Sequence, residues 1–570
     1  MRLLDCLYCH ARAHPRRVAM RTSGGEELSY RALWDASEAL AKWLGASGAA
    51  SALGPVAVIG HKQPLMLACF IACAKSGRAY VPLDDSLPLE RVNGILAQLA
   101  SQSARPLVLL AGGEYRPESL AGEVVSRAQL DACVTAAAQA GSRVPLKLVP
   151  REGWVSGEDL FYLLFTSGST GTPKGVEITA RCHDSFLPWA LGLIGAQVGM
   201  HGAYEAPADA ATYLNQAPFS FDLSVFELTM ALASGGSIFA LTRETQASFA
   251  ALTAAVSDAE IDVWVSTPSF AELCLKDRAF DASVLPRVSS FLFCGEVLLP
   301  QTARQLLERF AGSRVINTYG PTESTVAVTS VVIDAALAAG TAALPVGRPR
   351  PGTIIRICDE DGGELAPGEV GEITIAGDTV ARGYFGNPAL TAERFGRQAV
   401  GMDELCRLDA SAACGSDPGM LASLRSYRTG DSGLLDESGM LHFRGRLDNQ
   451  VKLSGYRIEL GDIEEHLCAL GGVLNAVVLP VTIEGKVSHL VACVVEEPAA
   501  RQWATAAGQT QESDFKRGIA LKKRLGEALP SYMVPKTVRF FEGFPLTANG
   551  KVDRGRLAAL LAQSRAPHDG

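Results

Sequence analysis

A chain of 570 residues exceeds what one hydrophobic core organises, so two or more domains are expected. Apolar residues make up 48% and charged residues 20%, and 52 Lys+Arg against 61 Asp+Glu leave a net charge of −9. That mild acidity without a long basic run argues against nucleic acid as the partner, and the richest apolar stretch, residues 65–74, is too short for a bilayer span. The N-terminus lacks an apolar leader, and thirteen cysteines are scattered singly through apolar segments, as suits thiols in a reducing compartment. A cytoplasmic protein without membrane insertion is expected. The spelling Cys6-x-x-Cys9-His10 matches haem attachment, but residues 2–18 read as an amphipathic helix and no export signal accompanies it, so haem is rejected.

In chain order, residues 56–59, 79–81 and 107–110 are short apolar runs that read as buried strands, with a helix over 65–75 between the first two. The alternation continues with a strand over 213–218, a helix over 223–232, and strands at 237–241, 263–266 and 291–294. This is the order of layered, parallel α/β architecture. From residue 352 the pattern changes to antiparallel hairpin material: 354–358, a DEDGG turn over 359–363, and 372–375. Residues 401–426 are poorly patterned and read as a surface insertion or loose loop. A boundary falls near 445, which divides the chain into 1–444 and a small α+β domain, 445–570. In the latter we expect a hairpin turning at Ser454-Gly455, a helix from about 462, strands at 476–479 and 490–495, and a helix over 515–529.

The sharpest chemical signal is LFTSGSTGTPKG (164–175): an apolar strand running into a loop of three glycines, several hydroxyls and a lysine. Glycines let backbone N–H groups turn toward an anion, hydroxyls donate, and lysine adds charge, so the loop reads as a phosphate cradle rather than a linker. The Walker A spacing is absent. With this loop come NTYGPTE (317–323), YRTGD (427–431), GRLD (445–448), KLSGYRIE (452–459) and PLTANGKVDR (545–554). In this order they resemble the signature of the adenylate-forming enzymes, which comprise acyl- and aryl-CoA synthetases, luciferases and amino-acid adenylation domains. The resemblance spans essentially the whole chain outside 401–426.

The resemblance implies ATP and Mg²⁺ as cofactors. Thr166, Ser167, Gly168, Ser169, Thr170, Gly171 and Lys174 would close over the β- and γ-phosphates. Glu323 would hold the metal, and Tyr319 would stack on adenine beside the Gly320-Pro321 turn. Gly295, Glu296, Asn317 and Thr322 are implied as further nucleotide contacts. Asp431 would capture the ribose hydroxyls, with Arg446 near ribose and phosphate. Lys551 would bridge the substrate carboxylate and the α-phosphate, so that Lys551, Glu323, Thr166 and Lys174 carry catalysis. Taken singly, Asp431 could be a turn residue and Lys551 a solvated loop lysine; the ordered set favours function.

QAPFSFDLSV (216–225) points to the substrate. In amino-acid-activating members an Asp at this position pairs with the α-ammonium, and a carboxylate in a mostly apolar pocket makes sense if a cation arrives. Asp222 could equally cap the following helix. Carried over position by position, the pocket would comprise Asp222, Leu223, Phe226, Ser269, Leu292, Cys294, Thr318, Val326 and Ala327. It is bulky and apolar, which implies a methyl side chain or hydrogen. Within the family the strings at 216–225, FLFCGEV (291–297) and 317–329 most resemble the D-alanine–carrier protein ligases. In that subgroup a thiol, here Cys294, lies against the substrate and is linked to preference for the D-isomer, although a cysteine ending a buried strand is also an ordinary core residue. Phe226 replaces a less rigid residue such as Met, which makes glycine a competitor.

The resemblance implies two half-reactions: aminoacyl-AMP forms, then the small domain rotates about a hinge at Asp448 and a pantetheine thiol takes the acyl group. No carrier domain is expected after Lys551, where only about twenty residues remain, and LGGV (470–473), inside the small domain, lacks the serine of an attachment site. A separate carrier protein docking in trans is therefore expected. The rivals are a glycine or L-alanine carrier ligase for envelope modification or natural-product synthesis, a CoA ligase for a small carboxylic acid, and a non-catalytic nucleotide binder.

Overall fold

The computed structural model describes residues 1–46, 54–100, 105–113, 115–140, 149–168, 172–195, 210–341, 343–401, 421–483, 486–497, 511–546 and 552–563. They fall into two compact units. The larger comprises Met1–Ser86, Ile95–Phe165 and Lys174–Asp448; the smaller comprises Leu87–Gly94, Thr166–Pro173 and Asn449–Gly570.

In the larger unit, uninterrupted apolar runs make strands buried on both faces, and helices cover them. One six-stranded sheet has the spatial order Glu123–Val125, Leu107–Leu110, Val56–Gly60, Tyr80–Asp84, Leu160–Thr166, Lys174–Thr179. Val56 pairs in parallel with both Tyr80 and Leu107, and helix Pro64–Lys75 makes the crossover between the first two strands in sequence. A nine-stranded sheet runs Arg348–Pro349, Thr329–Ile333, Arg314–Tyr319, Ser290–Phe293, Val263–Ser266, Thr212–Asn215, Ser237–Ala240, Val18–Thr22, Glu27–Ser29. Its six central strands are parallel and its edges antiparallel. A third, antiparallel sheet joins Thr353–Cys358, Gly371–Gly377, Leu421–Leu435, Phe395–Gly401 and Leu441–Arg446. The expected hairpin is there, with Cys358 opposite Glu372.

Alternation along Ser290–Phe293 sorts the core. Phe291 and Phe293 pack into one cluster with Trp264 and Phe310, whereas Leu292 and the following Cys294 join another with Leu223, Phe226, Tyr319, Val326 and Ala327.

Three readings need correction. The N-terminal helix is Arg2–Ala13, ending before Pro15. Within it Cys6 is buried and Cys9 exposed, both as free thiols. Residues 401–426 are not wholly loose: 421–426 belong to strand Leu421–Leu435, whose first part pairs with Phe395–Gly401 from Phe395↔Tyr427 to Gly401↔Leu421. Backbone pairing makes that ladder, which LASLRS does not advertise because its apolar and polar residues do not alternate. Residues 402–420 lie outside the described residues. Finally, helix Ser224–Ser234 begins one residue later than expected, with Leu223 at its N-cap position and no side-chain cap there.

In the smaller unit, strands Gln450–Leu453 and Tyr456–Glu459 form the expected hairpin. Ser454 and Gly455 both take positive φ, 52° and 84°, as a two-residue turn that follows the strand twist requires. Helix Leu460–Ala469 and strands Val473–Ile483 and Lys486–Glu496 follow. Helix Gln511–Ala528 and strand Thr537–Phe541, parallel to Lys486–Glu496, complete the layer. Ile458, Ile463, Leu467, Val478, Ala492, Val494 and Leu525 form its core.

Candidate active site

The sequence-predicted residues of the larger unit converge because four adjacent parallel strands end side by side. Thr212–Asn215 leads into Asp222, Val263–Ser266 into Ser269, Ser290–Phe293 into Cys294, Gly295 and Glu296, and Arg314–Tyr319 into Gly320, Thr322 and Glu323. The carboxyl ends of parallel strands are where open α/β sheets present ligand loops.

These loops are tied together by polar bonds. Thr322 Oγ1 donates to Asp222 Oδ2 at 2.7 Å. Ser269 donates to Glu296 Oε2 through both Oγ, at 2.5 Å, and its backbone N, at 3.1 Å. Asn317 Nδ2 donates to the Pro345 carbonyl and Thr318 Oγ1 to the Phe293 carbonyl, both at 2.8 Å, so these side chains support the strand ends. Cys294 is buried with Sγ 3.7 Å from the Val326 carbonyl. Gly295 has φ +91° and space where a Cβ would stand. Gly320 instead packs so closely on Ala327 that a side chain would displace backbone. The chain then turns through Thr325 and Val326, with φ of 60° and 68°, left-handed conformations that non-glycine residues seldom adopt. Phe226 is fully buried, its ring 5.0 Å from Phe186 and 6.2 Å from Trp189. Leu223, Leu292, Val326 and Ala327 are buried beside it in the same cluster.

Glu323 is fully buried, and its Oε1 accepts from the Tyr384 hydroxyl at 2.7 Å. Tyr384 lies 3.3 Å from the Tyr427 hydroxyl, and Lys174 Nζ sits 5.5 Å from the Tyr384 ring centroid. Sequence reasoning missed Tyr384. Its signal was RGYFGNP (382–388), in which Gly383 and Gly386, both at positive φ, turn the chain around two aromatic residues.

Asp431 is 2% exposed and accepts from the Tyr319 hydroxyl at 2.5 Å and from Arg446 Nη1 at 2.7 Å. Burial, then the Asp431 charge, holds the Tyr319 phenol well above its usual pKa, so it stays a donor. Arg446 also forks onto both oxygens of Asp448, at 2.9 and 2.6 Å, and reaches the Thr429 carbonyl at 3.1 Å. Strand pairing sets this up, because Asp431 lies directly opposite Arg446. Tyr319 is itself buried, with its ring 6.0 Å from Phe443.

In the smaller unit, Thr166 ends its strand with a buried Oγ1 that has no hydrogen-bond partner among the described residues, the condition of a donor awaiting an oxyanion. Ser167 Oγ donates to the Arg457 carbonyl at 2.8 Å and accepts from Glu459 N at 3.1 Å. A Cβ at Gly168 would collide with the Thr172 carbonyl. Ser169, Thr170, Gly171 and Lys551 lie outside the described residues.

This fold and these clusters define a class. The AMP-binding enzyme family matches residues 7–385, and the AMP-binding enzyme C-terminal domain matches 462–551. The chain belongs to the AMP-binding enzyme family. More particularly, it is 39% identical to a D-alanine–D-alanyl carrier protein ligase of Bacillus licheniformis, over 98% of this chain and 99% of the relative. A ligase of the same name from Bacillus cereus is 39% identical over 93% and 94%. Among solved structures, holo-PA1221, an NRPS protein with adenylation and PCP domains, superposes with TM-score 0.71 at 26% identity, covering 98% of this chain and 84% of that one. The Vibrio cholerae adenylation domain AlmE, in complex with glycyl-adenosine-5'-phosphate, shares the fold with TM-score 0.72 at 21% identity, covering 99% and 97%.

Proposed function

We propose that this enzyme activates D-alanine with ATP and loads it onto the phosphopantetheine thiol of a separate carrier protein. The observation that carries the reading is the 2.7 Å bond from Thr322 to Asp222. It ties the carboxylate suited to an α-ammonium to the loop that bears Glu323. In the first half-reaction a carboxylate oxygen of the amino acid attacks the α-phosphorus and pyrophosphate leaves. In the second, the carrier thiol loses its proton, sulfur attacks the acyl carbon and AMP leaves. Asp222 orients the ammonium, with Leu223, Phe226, Ser269, Leu292, Cys294, Thr318, Val326 and Ala327 shaping the space beyond it. Asp431 and Arg446 hold the ribose side of the nucleotide, Thr166 and Lys174 the phosphates, and Lys551 the charge developing at phosphorus. Gly295, Glu296, Asn317, Tyr319, Gly320 and Thr322 line the adenine side.

Glu323 fits Mg²⁺, which prefers hard carboxylate oxygens and would neutralise phosphate charge when bound. Asp448 serves as the hinge between the proposed domains 1–444 and 445–570. Among the described residues no helix is long and apolar enough to cross a membrane, which accords with action in the ATP-containing cytoplasm.

The packing of Phe226 against Phe186 and Trp189 favours one competitor, glycine, because a ring so held leaves less room for a methyl group. Amino-acid-dependent ATP–pyrophosphate exchange with glycine, D-alanine, L-alanine, D-serine and β-alanine decides. D-alanine in first place supports the proposal, glycine in first place replaces its substrate, and exchange with none reopens the CoA-ligase reading. Lys551→Ala should cut adenylation about a thousandfold while sparing thioester formation from supplied aminoacyl-AMP; equal loss in both steps would refute that assignment.

A further inference from the structure

A cavity of about 590 Å³ lies within the larger unit, and none of the residues assigned above lines it. Its wall carries four arginines from four segments: Arg181 in the first turn of helix Ala180–Leu193, Arg382 after strand Gly371–Gly377, Arg397 in Phe395–Gly401 and Arg425 in Leu421–Leu435. Only two carboxylates, Glu158 and Asp378, share that wall, and Phe395 and Leu424 add an apolar patch.

The ion pairing leaves the wall positive. Arg181 Nε and Arg425 Nη1 converge on the single carboxylate of Glu158, at 2.6 and 2.7 Å. Those two guanidinium groups hold the Glu158 carboxyl below its usual pKa despite the opposing effect of burial, so it is ionised yet outnumbered. Arg382 is taken from behind by Glu177, at 2.8 and 3.0 Å. Arg397 Nη1 donates to the carbonyl and hydroxyl oxygens of Ser423, at 3.1 and 3.3 Å, neither of which is charged. Arg397 also stands directly opposite Arg425 in the antiparallel ladder. Like charges at facing positions of a sheet repel, and among the described residues the only carboxylate against this pair is Glu158, which Arg425 shares with Arg181.

We propose that this cavity is a second anion site, which binds the phosphate dianion of a small phosphomonoester. Guanidinium forks match the spacing of phosphate oxygens and give paired, charge-assisted hydrogen bonds; Arg397, bonded to the neutral oxygens of Ser423, supplies such a fork, with the charge of Arg425 facing it on the adjacent strand. Phe395 and Leu424 offer the organic part of the ester an apolar wall. The proposal does not depend on which acid the enzyme adenylates.

Calorimetric titration of the full chain with phenyl phosphate and with inorganic phosphate, in magnesium-free buffer of low ionic strength, tests it. Phenyl phosphate should bind with a dissociation constant of about 0.1–1 mM. Arg397→Gln should weaken that binding about tenfold, and Arg181→Gln should do the same; both side chains are exposed enough for the fold to tolerate the change, which a thermal melt verifies. Lys174→Ala, which alters the proposed nucleotide site, should leave it within about twofold. The proposal is overturned if the wild type shows no saturable binding. It is also overturned if both arginine variants bind like the wild type, or if Lys174→Ala alone abolishes the signal.

Discussion

Asp431, in strand Leu421–Leu435, and Asp222, in a turn, both belong to the proposed site, yet the protein holds them differently. Asp431 is almost wholly buried and clamped by the Arg446 guanidinium and the Tyr319 hydroxyl, and Arg446 is itself fixed by Asp448 and a backbone carbonyl. Asp222 is half-buried in a turn, where the Thr322 hydroxyl orients it. A group that meets the same nucleotide at every turnover can be locked by the chain's own charges. A group proposed to select among amino acids is steered here by a neutral donor, which fixes its direction without neutralising its charge.

The largest effect expected from this contrast is on Asp431→Ala. Removing one partner of a buried ion pair costs about 3–5 kcal/mol, so both the melting temperature and ATP–pyrophosphate exchange should fall, the latter at least about a hundredfold. Unchanged stability would show that the cluster is not the rigid one. Asp222→Asn should instead spare the melting temperature and the KM for ATP while raising the KM for the amino acid about thirtyfold, as loss of about 2 kcal/mol from a charged hydrogen bond implies. An equal rise in both KM values would erase the distinction between the two carboxylates.

Cys294→Ala should be milder. It removes one buried sulfur from the substrate side and is expected to narrow the ratio of D- over L-alanine activation about fivefold with little change in total rate. An unchanged ratio would make Cys294 a core residue and nothing more.

The subtlest test concerns what lies beneath the Asp222 turn. Thr229, in the helix that follows it, is 2.9 Å from His183 Nε2, and burial pushes the His183 pKa down to about 3. The unfolded chain takes up a proton on this histidine below about pH 6.5, whereas the folded chain does not until about pH 3; stability from this group is therefore whole above 6.5 and declines as pH falls between those values. His183→Gln should flatten the fall of melting temperature between pH 6.5 and about 4. An identical slope in the variant would remove His183 from that account.

Legibility in the sequence followed the range of the interaction. The parallel strands announced themselves because double-sided burial demands continuous apolar runs, as in Val56–Gly60, and the hairpin at Ser454-Gly455 because its turn needs positive φ. The ladder over 421–426 was hidden, since its bonds are backbone bonds and the sequence LASLRS does not alternate apolar and polar residues. Tyr384 was hidden because its partner Glu323 is 61 residues away, and RGYFGNP around it marks a turn but not the pairing. The four arginines of the second cavity were equally silent, as each belongs to a different segment and only folding sets Arg397 against Arg425.

By itself, then, the sequence determined the layered α/β class, the order of the nucleotide motifs and the residue types that answer phosphate, ribose and ammonium, because each is encoded in a few adjacent residues. Tertiary structure decided which carboxylate is clamped by a guanidinium and which is met by a hydroxyl, since a charge is tuned by neighbours that arrive from distant strands. It also decided where positive charge accumulates without a matching acid, because that balance is struck in space and not along the chain.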